Sequence, residues 1–481
     1  MQENRRSSVR SSYQKSHLRL PDVTNLDTLL EYGFSRAEPK VNCRDLDPQI
    51  TLFQGVDCLL SSPYTLHDSS RKRTVMRVID VDAHVHEPVD WLEQTNPKLA
   101  EALGPPLRFI DVADGIFGIS NRSIEKLPDR QQPNNRWDTL LPGFARHLEL
   151  TDKRQPVSQA QLSGNPFSNA EARVAQCDEQ GIDIQFLNPS FLASSFAQAA
   201  HAGRPDLVPQ IKHSWNQWVM EIVEGHKQRL IPVTQIDLDD VNQGIAEMTR
   251  MRALGSRAFS IGESPVGVRN AGNELARSIT HRDFEPLWSA AEDLGMAAVA
   301  HVGFGRERIQ FGWANNGAED LSTYSLLSLA VAPSLPPQLL LGALVFDGVL
   351  ERHPKLTVII EEVGVSWLPH LLAVLDRAVG RLQPRGLKDG KERPYYAGSA
   401  YQLPLAPSEY LNRQVKVTPL VATEPLRPTL DLTPDILCFS SDYPHVEGTG
   451  SAVSICERQL GDLDSVVRAE FYSGVGRRIG L

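Results

Sequence analysis

The chain has few cysteines, and none are arranged in pairs. The five of them are scattered over 481 residues, and their spacing is not that of metal-binding pairs: Cys43, Cys58, Cys177, Cys438 and Cys456. This pattern excludes a disulfide framework and a cysteine-rich zinc module. It is typical of reduced thiols, and we therefore expect a cytoplasmic location.

Signals for a membrane or for nucleic acid are also missing. The N-terminal region lacks the apolar core of a secretory signal. The apolar stretch 326–346 is interrupted by Pro333, Pro336 and Pro337, which favours a buried loop and helix over a membrane span. A formal net charge of -10 disfavours nucleic acid and anionic membranes as partners. We expect neither partner.

Residues 1–74 differ in composition from the rest of the chain. Their first twenty residues are basic and serine-rich and predict a mobile tail, whereas residues 22–71 contain enough Leu, Phe and Tyr to pack against something. Residues 75–481 are long enough for one large domain with a sizeable core. We therefore predict an N-terminal extension, 1–74, followed by a single large domain, 75–481.

Acids and imidazoles alternate where an apolar run ends near residue 80. In a strand, alternate residues point to the same side, so Asp80, Asp82, His84 and His86 are expected to project together. Imidazole and carboxylate groups in this arrangement suit zinc, manganese or iron.

Three later apolar runs also end in polar residues, and each is short enough for a buried parallel strand. The residues that follow these runs are His301, Glu361 with Glu362, and Asp442 with His445. Polar groups at the carboxyl ends of several parallel strands are how a (β/α)8 barrel assembles its active site.

The order of strand and helix patterns supports this architecture, because strands that alternate with helices form a parallel sheet. We predict an α/β fold, a (β/α)8 TIM barrel with an N-terminal extension and with insertions at the active-site face, over residues 94–164 and 304–337. The predicted strands are 76–81, 182–187, 230–236, 258–261, 296–301, 356–361, 415–417 and 436–440.

The motifs resemble those of the amidohydrolase superfamily. The branch they resemble contains aminocarboxymuconate semialdehyde decarboxylase and the resorcylate-type decarboxylases. The matching segments are IDVDAHVHEP at 79–88, HVG at 301–303, HPKL at 353–356 with EEVGVSWLP at 361–369, and SDYPH at 441–445. Together they span nearly all of the predicted domain.

The resemblance implies a metal site held by Asp82, His84, His301 and Asp442. Some relatives use two histidines on the first strand, which His84 and His86 would supply; otherwise His86 is a neighbour of the ligands. The expected ion is a divalent metal, zinc first, with manganese or iron as alternatives. No lysine lies between residues 227 and 355, whereas two-metal relatives often bridge their ions with one, so a single ion is favoured. The number of acidic and imidazole side chains keeps a two-ion site open.

Three residues are candidate catalysts on this resemblance. Asp442 would shuttle a proton in a hydrolytic reaction. Glu362 occupies a position where decarboxylating relatives often carry a histidine, and it is either an acid–base group with a raised pKa or another ligand. His445 is a second acid–base candidate, with a structural cap as its alternative.

The predicted function is therefore a metal-dependent enzyme that decarboxylates a small aromatic or enolic carboxylate. Hydrolysis of an amide or lactone is one alternative. A two-metal oxygenase, or a metal-binding subunit of one, is another. The resemblance also implies a homodimer or larger oligomer, with residues 22–71 covering a neighbouring subunit.

Overall fold

The computed structural model describes residues 76–88, 90–104, 169–262, 266, 277–302, 334–382, 403–445 and 448–481. The chain divides into two units, Met1–Lys72 and Arg73–Leu481, and all described residues belong to the second. The predicted extension and most of both predicted insertions lie outside the described residues.

Seven strands form one parallel sheet, and their order in the sheet follows their order in the chain. The strands are short and almost wholly buried, as parallel strands covered on both faces must be. They are β1 (Ile79–Val85), β2 (Ile184–Pro189), β3 (Leu230–Gln235), β4 (Ala258–Ile261), β5 (Ala297–His301), β6 (Val358–Glu361) and β7 (Val415–Val417).

Helices separate most consecutive strands, which confirms the predicted α/β alternation. The helices before β2 and β5 end at Gly181 and Gly295, which adopt the left-handed conformation that glycine favours after a helix. The described helices are α1 (Trp91–Thr95), α2 (Pro97–Leu103), α3 (Ala170–Gln180), α4 (Leu192–His201), α5 (Val208–Ile222), α6 (Val241–Leu254), α7 (Glu285–Leu294), α8 (Leu335–Phe346), α9 (Val349–Arg352), α10 (Leu368–Leu382), α11 (Pro407–Gln414), α12 (Arg427–Leu430), α13 (Ala452–Leu460) and α14 (Ser465–Ile479). No helix among the described residues is long and apolar enough to cross a membrane.

The predicted eighth strand, 436–440, is not a regular strand. Its segment instead makes one isolated parallel bridge to each edge of the sheet, Val417 with Leu437 and Ala83 with Tyr443. Beyond the apolar run, Asp442 has a left-handed φ of 51°, which breaks the extended ladder. The segment therefore contacts both β7 and β1 without extending the seven-stranded sheet.

Strand β1 runs further than predicted and is irregular. Its pairing with β2 shifts register between Asp80 and Ala83. Before the shift, Ile79 and Val81 lie in the apolar cluster that also contains Val299 of β5 and Ile359 of β6. After it, Asp82 and His84 face the polar cluster described below, so the strict alternation expected from the sequence does not hold along this strand.

The C-terminal helix, α14, packs against residues of the sheet. Val475 and Ile479 of α14 belong to the same buried cluster as Ile79 and Val81. Beside it, Lys416 of β7 is fully buried and pairs with Glu470 of α14, with Nζ 2.5 Å from Oε1. A second apolar cluster, with Trp91, joins α1, α2, α4 and α5.

Candidate metal centre

Six side chains from the carboxyl side of the sheet converge within the described residues. They form two groups that share His84, and in each group the potential ligand atoms all lie within 4.8 Å of one another. One group comprises Asp82, His84 and His301, and the other His84, Glu362, Asp442 and His445. The structure thus brings together every predicted site residue except His86.

His84 of β1 and His301 of β5 face each other through their Nε2 atoms, which are 3.1 Å apart. On the far side of each ring, Nδ1 lies within hydrogen-bond distance of a backbone carbonyl: 3.2 Å from Pro189 for His84, and 2.9 Å from Val302 for His301. A carbonyl only accepts, so each Nδ1 must carry the proton, and a neutral ring then presents its Nε2 lone pair to the other. Two lone pairs at this distance require a cation between them or a proton on one ring.

Two carboxylates of this cluster carry oxygens with no hydrogen-bond partner among the described residues. They are Asp82, through Oδ2, and Asp442, through both side-chain oxygens, whereas Glu362 Oε2 lies 3.0 Å from His301 Nε2. Asp82 is wholly buried, and Glu362 and Asp442 are nearly so. Buried carboxylate oxygens without donors are costly unless a cation neutralises them.

These observations fit a divalent ion. Opposed imidazole nitrogens and unsatisfied carboxylate oxygens are the donors that zinc, manganese and iron take in proteins. The carbonyls of Pro189 and Val302 would fix the ring orientation of the two histidines, as partners of metal-bound histidines usually do.

Burial opposes charge at these groups, but their mutual attraction outweighs it for four of them, Asp82, His301, Glu362 and His445. Burial alone would raise the pKa of Asp82, yet His301 and His84 lower that pKa to about 2. Burial would lower the pKa of His301, but Glu362 and Asp82 bring it well above its usual value. Without an ion, protons on the imidazoles supply the positive charge of the cluster.

The expectation of a raised pKa at Glu362 is wrong. Burial does raise it, but His301 and His445 bring the pKa of Glu362 well below its usual range. Its Oε2 lies 3.0 Å from His301 Nε2. The sequence suggested other acids as neighbours, whereas in the structure the nearest charged partner is an imidazole.

Asp442 and His445 belong to one short turn. Burial and Glu362 raise the pKa of Asp442. Burial works against a charge on His445, but Asp442 and Glu362 raise its pKa to about 10. The His445 ring stacks on that of His84, with centroids 3.4 Å apart, and its Nε2 lies 3.2 Å from Ser190 Oγ. His445 therefore has a defined orientation beside the carboxylate of Asp442.

His86 and Asp80 occupy different surroundings from the cluster. His86 follows the last residue of β1, belongs to neither ligand group, and has its ring centroid 5.1 Å from that of Phe191. Burial lowers its pKa well below the usual value, together with the charges of His445 and His84. Asp80 precedes the register shift and accepts hydrogen bonds from Ser441 and Gln185 instead.

One residue near the cluster, Asn188, escaped the sequence argument. Asn188 of β2 donates through Nδ2 to Asp82 Oδ1, at 3.2 Å, and to Glu361 Oε2, at 2.9 Å. Burial and Asp82 raise the pKa of Glu361 well above its usual value. The polar run Asn188, Pro189, Ser190 after the apolar part of β2 was the available signal, since it repeats the pattern of the other strand ends.

A protein-family model matches most of the chain. The model described as amidohydrolase matches residues 79–463. No curated protein matches the sequence.

Solved structures of low sequence identity share the fold. An amidohydrolase from Mycobacterium avium subsp. paratuberculosis K-10 is 21% identical with a TM-score of 0.60, and the alignment covers 84% of this chain and 99% of that one. A dihydroxybenzoic acid decarboxylase from Polaromonas sp. JS666, with bound manganese and the inhibitor 2-nitroresorcinol, is 15% identical with a TM-score of 0.52, covering 84% and 97%. A 5-carboxyvanillate decarboxylase from Novosphingobium aromaticivorans DSM 12444, complexed with manganese and 4-hydroxy-3-methoxy-5-nitrobenzoic acid, is 15% identical with a TM-score of 0.52, covering 85% and 98%.

Proposed function

The chain belongs to the amidohydrolase family and is an enzyme, and we propose that it is a metal-dependent decarboxylase of a small aromatic or enolic carboxylate. The observation that carries the proposal is the buried cluster of imidazole nitrogens and unsatisfied carboxylate oxygens around His84. The two decarboxylases of similar fold, each described with manganese and a nitro-substituted phenol, support the reaction and the class of substrate.

Asp82, His84, His301 and Asp442 are the proposed ligands of one divalent ion. Zinc suits this donor set, and manganese is the ion in the two similar decarboxylases. When bound, such an ion supplies Lewis acidity and charge neutralisation. The remaining chemistry falls to the side chains around it.

Replacement of a carboxyl group by hydrogen requires a proton at the carbon that CO2 leaves. Two side chains beside the proposed ligands are placed to handle it. His445 is oriented by Ser190, and its Nδ1 lies 3.4 Å from Asp442 Oδ1 and 3.7 Å from Glu362 Oε2. We assign proton delivery to His445, which regains its proton from solvent, and to Glu362 the negative charge that, with Asp442, keeps this imidazole protonated. Asp442 serves as a ligand in this reaction.

We also propose that the sheet closes into a complete (β/α)8 barrel through the segment 436–443. The support is its pair of isolated bridges, to β7 at Leu437 and to β1 at Tyr443. Closure places all the proposed ligands at one mouth of the barrel, where active sites of this architecture lie.

Hydrolysis of an uncharged amide or lactone is the second candidate. The observation that favours it is the number of carboxylates, because Asp82, Glu362 and Asp442 all face the same space. An anionic substrate must overcome their repulsion, whereas a neutral one need not. In that reaction Asp442 would move the proton.

One experiment distinguishes decarboxylation from hydrolysis and from oxygenation. Full-length protein, prepared without added metal and then loaded with Mn²⁺ or Zn²⁺, is offered hydroxybenzoates and carboxyvanillates labelled with ¹³C in the carboxyl group. Labelled CO2 from the loaded enzyme, and none from Asp442→Asn, supports the proposal. Two ions per chain with oxygen consumption would indicate an oxygenase instead. Stoichiometric binding of one ion without CO2 release, together with cleavage of an amide or lactone panel, would establish hydrolysis.

A further inference from the structure

Arg173 of α3 contacts the backbone of two segments that carry proposed metal ligands. Its side chain is buried, with 3% of the residue exposed. Through Nη2 it donates to the backbone carbonyl oxygens of His84, at 3.0 Å, and Tyr443, at 3.2 Å. Through Nε it donates to Gln185 Oε1, at 2.6 Å. Its guanidinium also lies over the Tyr443 ring, 5.1 Å from the centroid.

The two carbonyls belong to the two parts of the chain that meet at the proposed metal. His84 is itself a proposed ligand, and Tyr443 directly follows another, Asp442. The same segments are joined by backbone hydrogen bonds, from His84 N to Tyr443 O and from Asp442 N to Asp82 O, each 2.8 Å long. One guanidinium nitrogen therefore spans the seam where β1 meets the segment that carries Asp442.

Gln185 links Arg173 to a further set of hydrogen bonds. Its Nε2 donates to Asp80 Oδ2, at 2.7 Å, and Asp80 in turn accepts from the backbone and the hydroxyl of Ser441. The chain of contacts Arg173, Gln185, Asp80, Ser441 thus binds the residue that precedes Asp442, while Arg173 itself binds the residue that follows it. Asp442 is held from both sides.

The energetics of Arg173 differ from those of a packing residue. Its acceptors are three uncharged oxygens, and its Nη1 has no hydrogen-bond partner among the described residues. A buried cation without a carboxylate partner costs stability, so a neutral side chain that only filled space would serve packing better. The planar guanidinium of arginine can donate to several acceptors at once, and here it donates to three.

We propose that Arg173 is a positioning residue for the metal centre: by holding the carbonyls of His84 and Tyr443, it sets the distance between the ligands of β1 and Asp442. This inference rests on the proposed metal site. Partners that orient metal ligands typically change metal affinity about 10–100-fold when they are removed. We expect a loss in that range from Arg173→Met.

Arg229 provides a control near the start of β2. It donates to the carbonyls of Ile182 and Asp183, just before the strand begins, and to the carboxylate of Asp178 in α3, so it also ties α3 to β2. No proposed ligand lies among its partners. Arg229→Met should lower thermal stability as Arg173→Met does, but leave metal affinity within about threefold of the unaltered protein, because it lacks a ligand-bearing partner.

The test titrates full-length protein with Co²⁺, follows the visible absorption of the bound ion, and measures Zn²⁺ affinity by competition with a chelator. The expected result is an altered Co²⁺ spectrum and weakened Zn²⁺ binding in Arg173→Met alone. Unchanged affinity and spectrum in a folded Arg173→Met protein, or equal losses in both methionine variants, would overturn the inference.

Arg173→Lys keeps the test decisive if the methionine variant does not fold. Lysine retains the charge but cannot hold all three acceptors, so we expect a folded protein with an intermediate loss of affinity. Unchanged Zn²⁺ affinity in Arg173→Lys would overturn the proposed role of the guanidinium group. An unaltered protein that binds no divalent ion would overturn the proposed function and this inference together, which distinguishes that failure from a failure of Arg173 alone.

Discussion

Glu362 and Asp442 enter the ligand cluster from the same unusual backbone conformation, with φ of 60° and 51°. Every other described residue reported with positive φ is a glycine. A non-glycine residue in this region costs on the order of 1–3 kcal/mol, and such residues gather at functional sites where their surroundings hold them. Here Thr418 Oγ1 holds the amide of Glu362, and the carbonyl of Asp82 holds that of Asp442. The strained turns aim both carboxylates at the imidazoles.

Replacement of His301 by alanine should remove the bound metal and the activity while leaving the fold largely intact. His301 ends β5 and is partly exposed, so its loss creates no large cavity, but it removes one of two opposed nitrogens. Metal analysis and circular dichroism of the purified variant measure both effects. His213→Ala, an exposed histidine outside the cluster, is the control. Undiminished metal content in His301→Ala would contradict the assignment.

Glu362→Gln separates two roles of that carboxylate. If Glu362 handles protons, turnover should fall about 10²–10⁴-fold with metal content unchanged. If it is a ligand, metal content itself should fall. Glu361→Gln is the control, since that neighbouring carboxyl has a raised pKa and glutamine preserves its uncharged form. Full activity and full occupancy in Glu362→Gln would leave the residue with neither role.

Glu361 should also make stability depend on pH in a defined direction. Because burial and Asp82 raise the pKa of Glu361, the folded protein retains its proton at pH values where the unfolded chain has lost it. The free energy of unfolding should therefore fall as pH rises above about 4.5, the ordinary glutamate value, towards the pKa in the folded state. Glu361→Gln lacks this loss. Urea denaturation at pH 5 and pH 8 should show the variant gaining stability relative to the unaltered protein, and parallel profiles would refute the prediction.

Removing one partner or the other from the ion pair of Lys416 and Glu470 should lower the free energy of unfolding by different amounts. Lys416 is fully buried, and burial lowers its pKa, whereas Glu470 is partly exposed and also pairs with Arg477. Glu470→Gln leaves a buried ammonium without a counter-charge and should cost roughly 3–5 kcal/mol of unfolding free energy. Lys416→Met should cost less, because Glu470 keeps another partner. Chemical denaturation of both variants decides the order.

Assembly is predicted from the sequence alone, since residues 22–71 lie outside the described part. We expect a homodimer or larger oligomer in which this segment covers a neighbour. Light scattering on the full chain and on a chain that begins at Arg73 tests the idea. The full chain should be oligomeric and the shortened one should dissociate, and a monomer in both cases would end the proposal.

Sequence patterns predicted the parallel α/β sheet well, because each buried strand is a short apolar run between helix signals. The residues at the strand ends were predicted to meet, and the structure brings His84, His301, Glu362 and Asp442 together. Such convergence is readable from sequence because parallel strands all end at one edge of the sheet.

The register shift in β1 could not be read in the same way. Alternation placed Asp80 and His86 beside Asp82 and His84. An irregularity in the pairing with β2 separates Asp80 from them, and His86 lies beyond the last residue of β1. The direction of the pKa shift of Glu362 was predicted wrongly for a related reason. That direction depends on whether an imidazole or a carboxylate is nearest, and a difference of a few ångströms is not encoded in any pattern along the chain.

Ser441 and Asp80 are hydrogen-bonded across 361 positions of the chain. The proposed centre therefore joins two segments that are far apart along the chain. During synthesis on a ribosome, the strand that carries Asp82 and His84 emerges long before Asp442 does. Tight capture of the ion must then wait until the segment that carries Asp442 has been made. A product terminated before that turn would be recognisable by its failure to retain an ion.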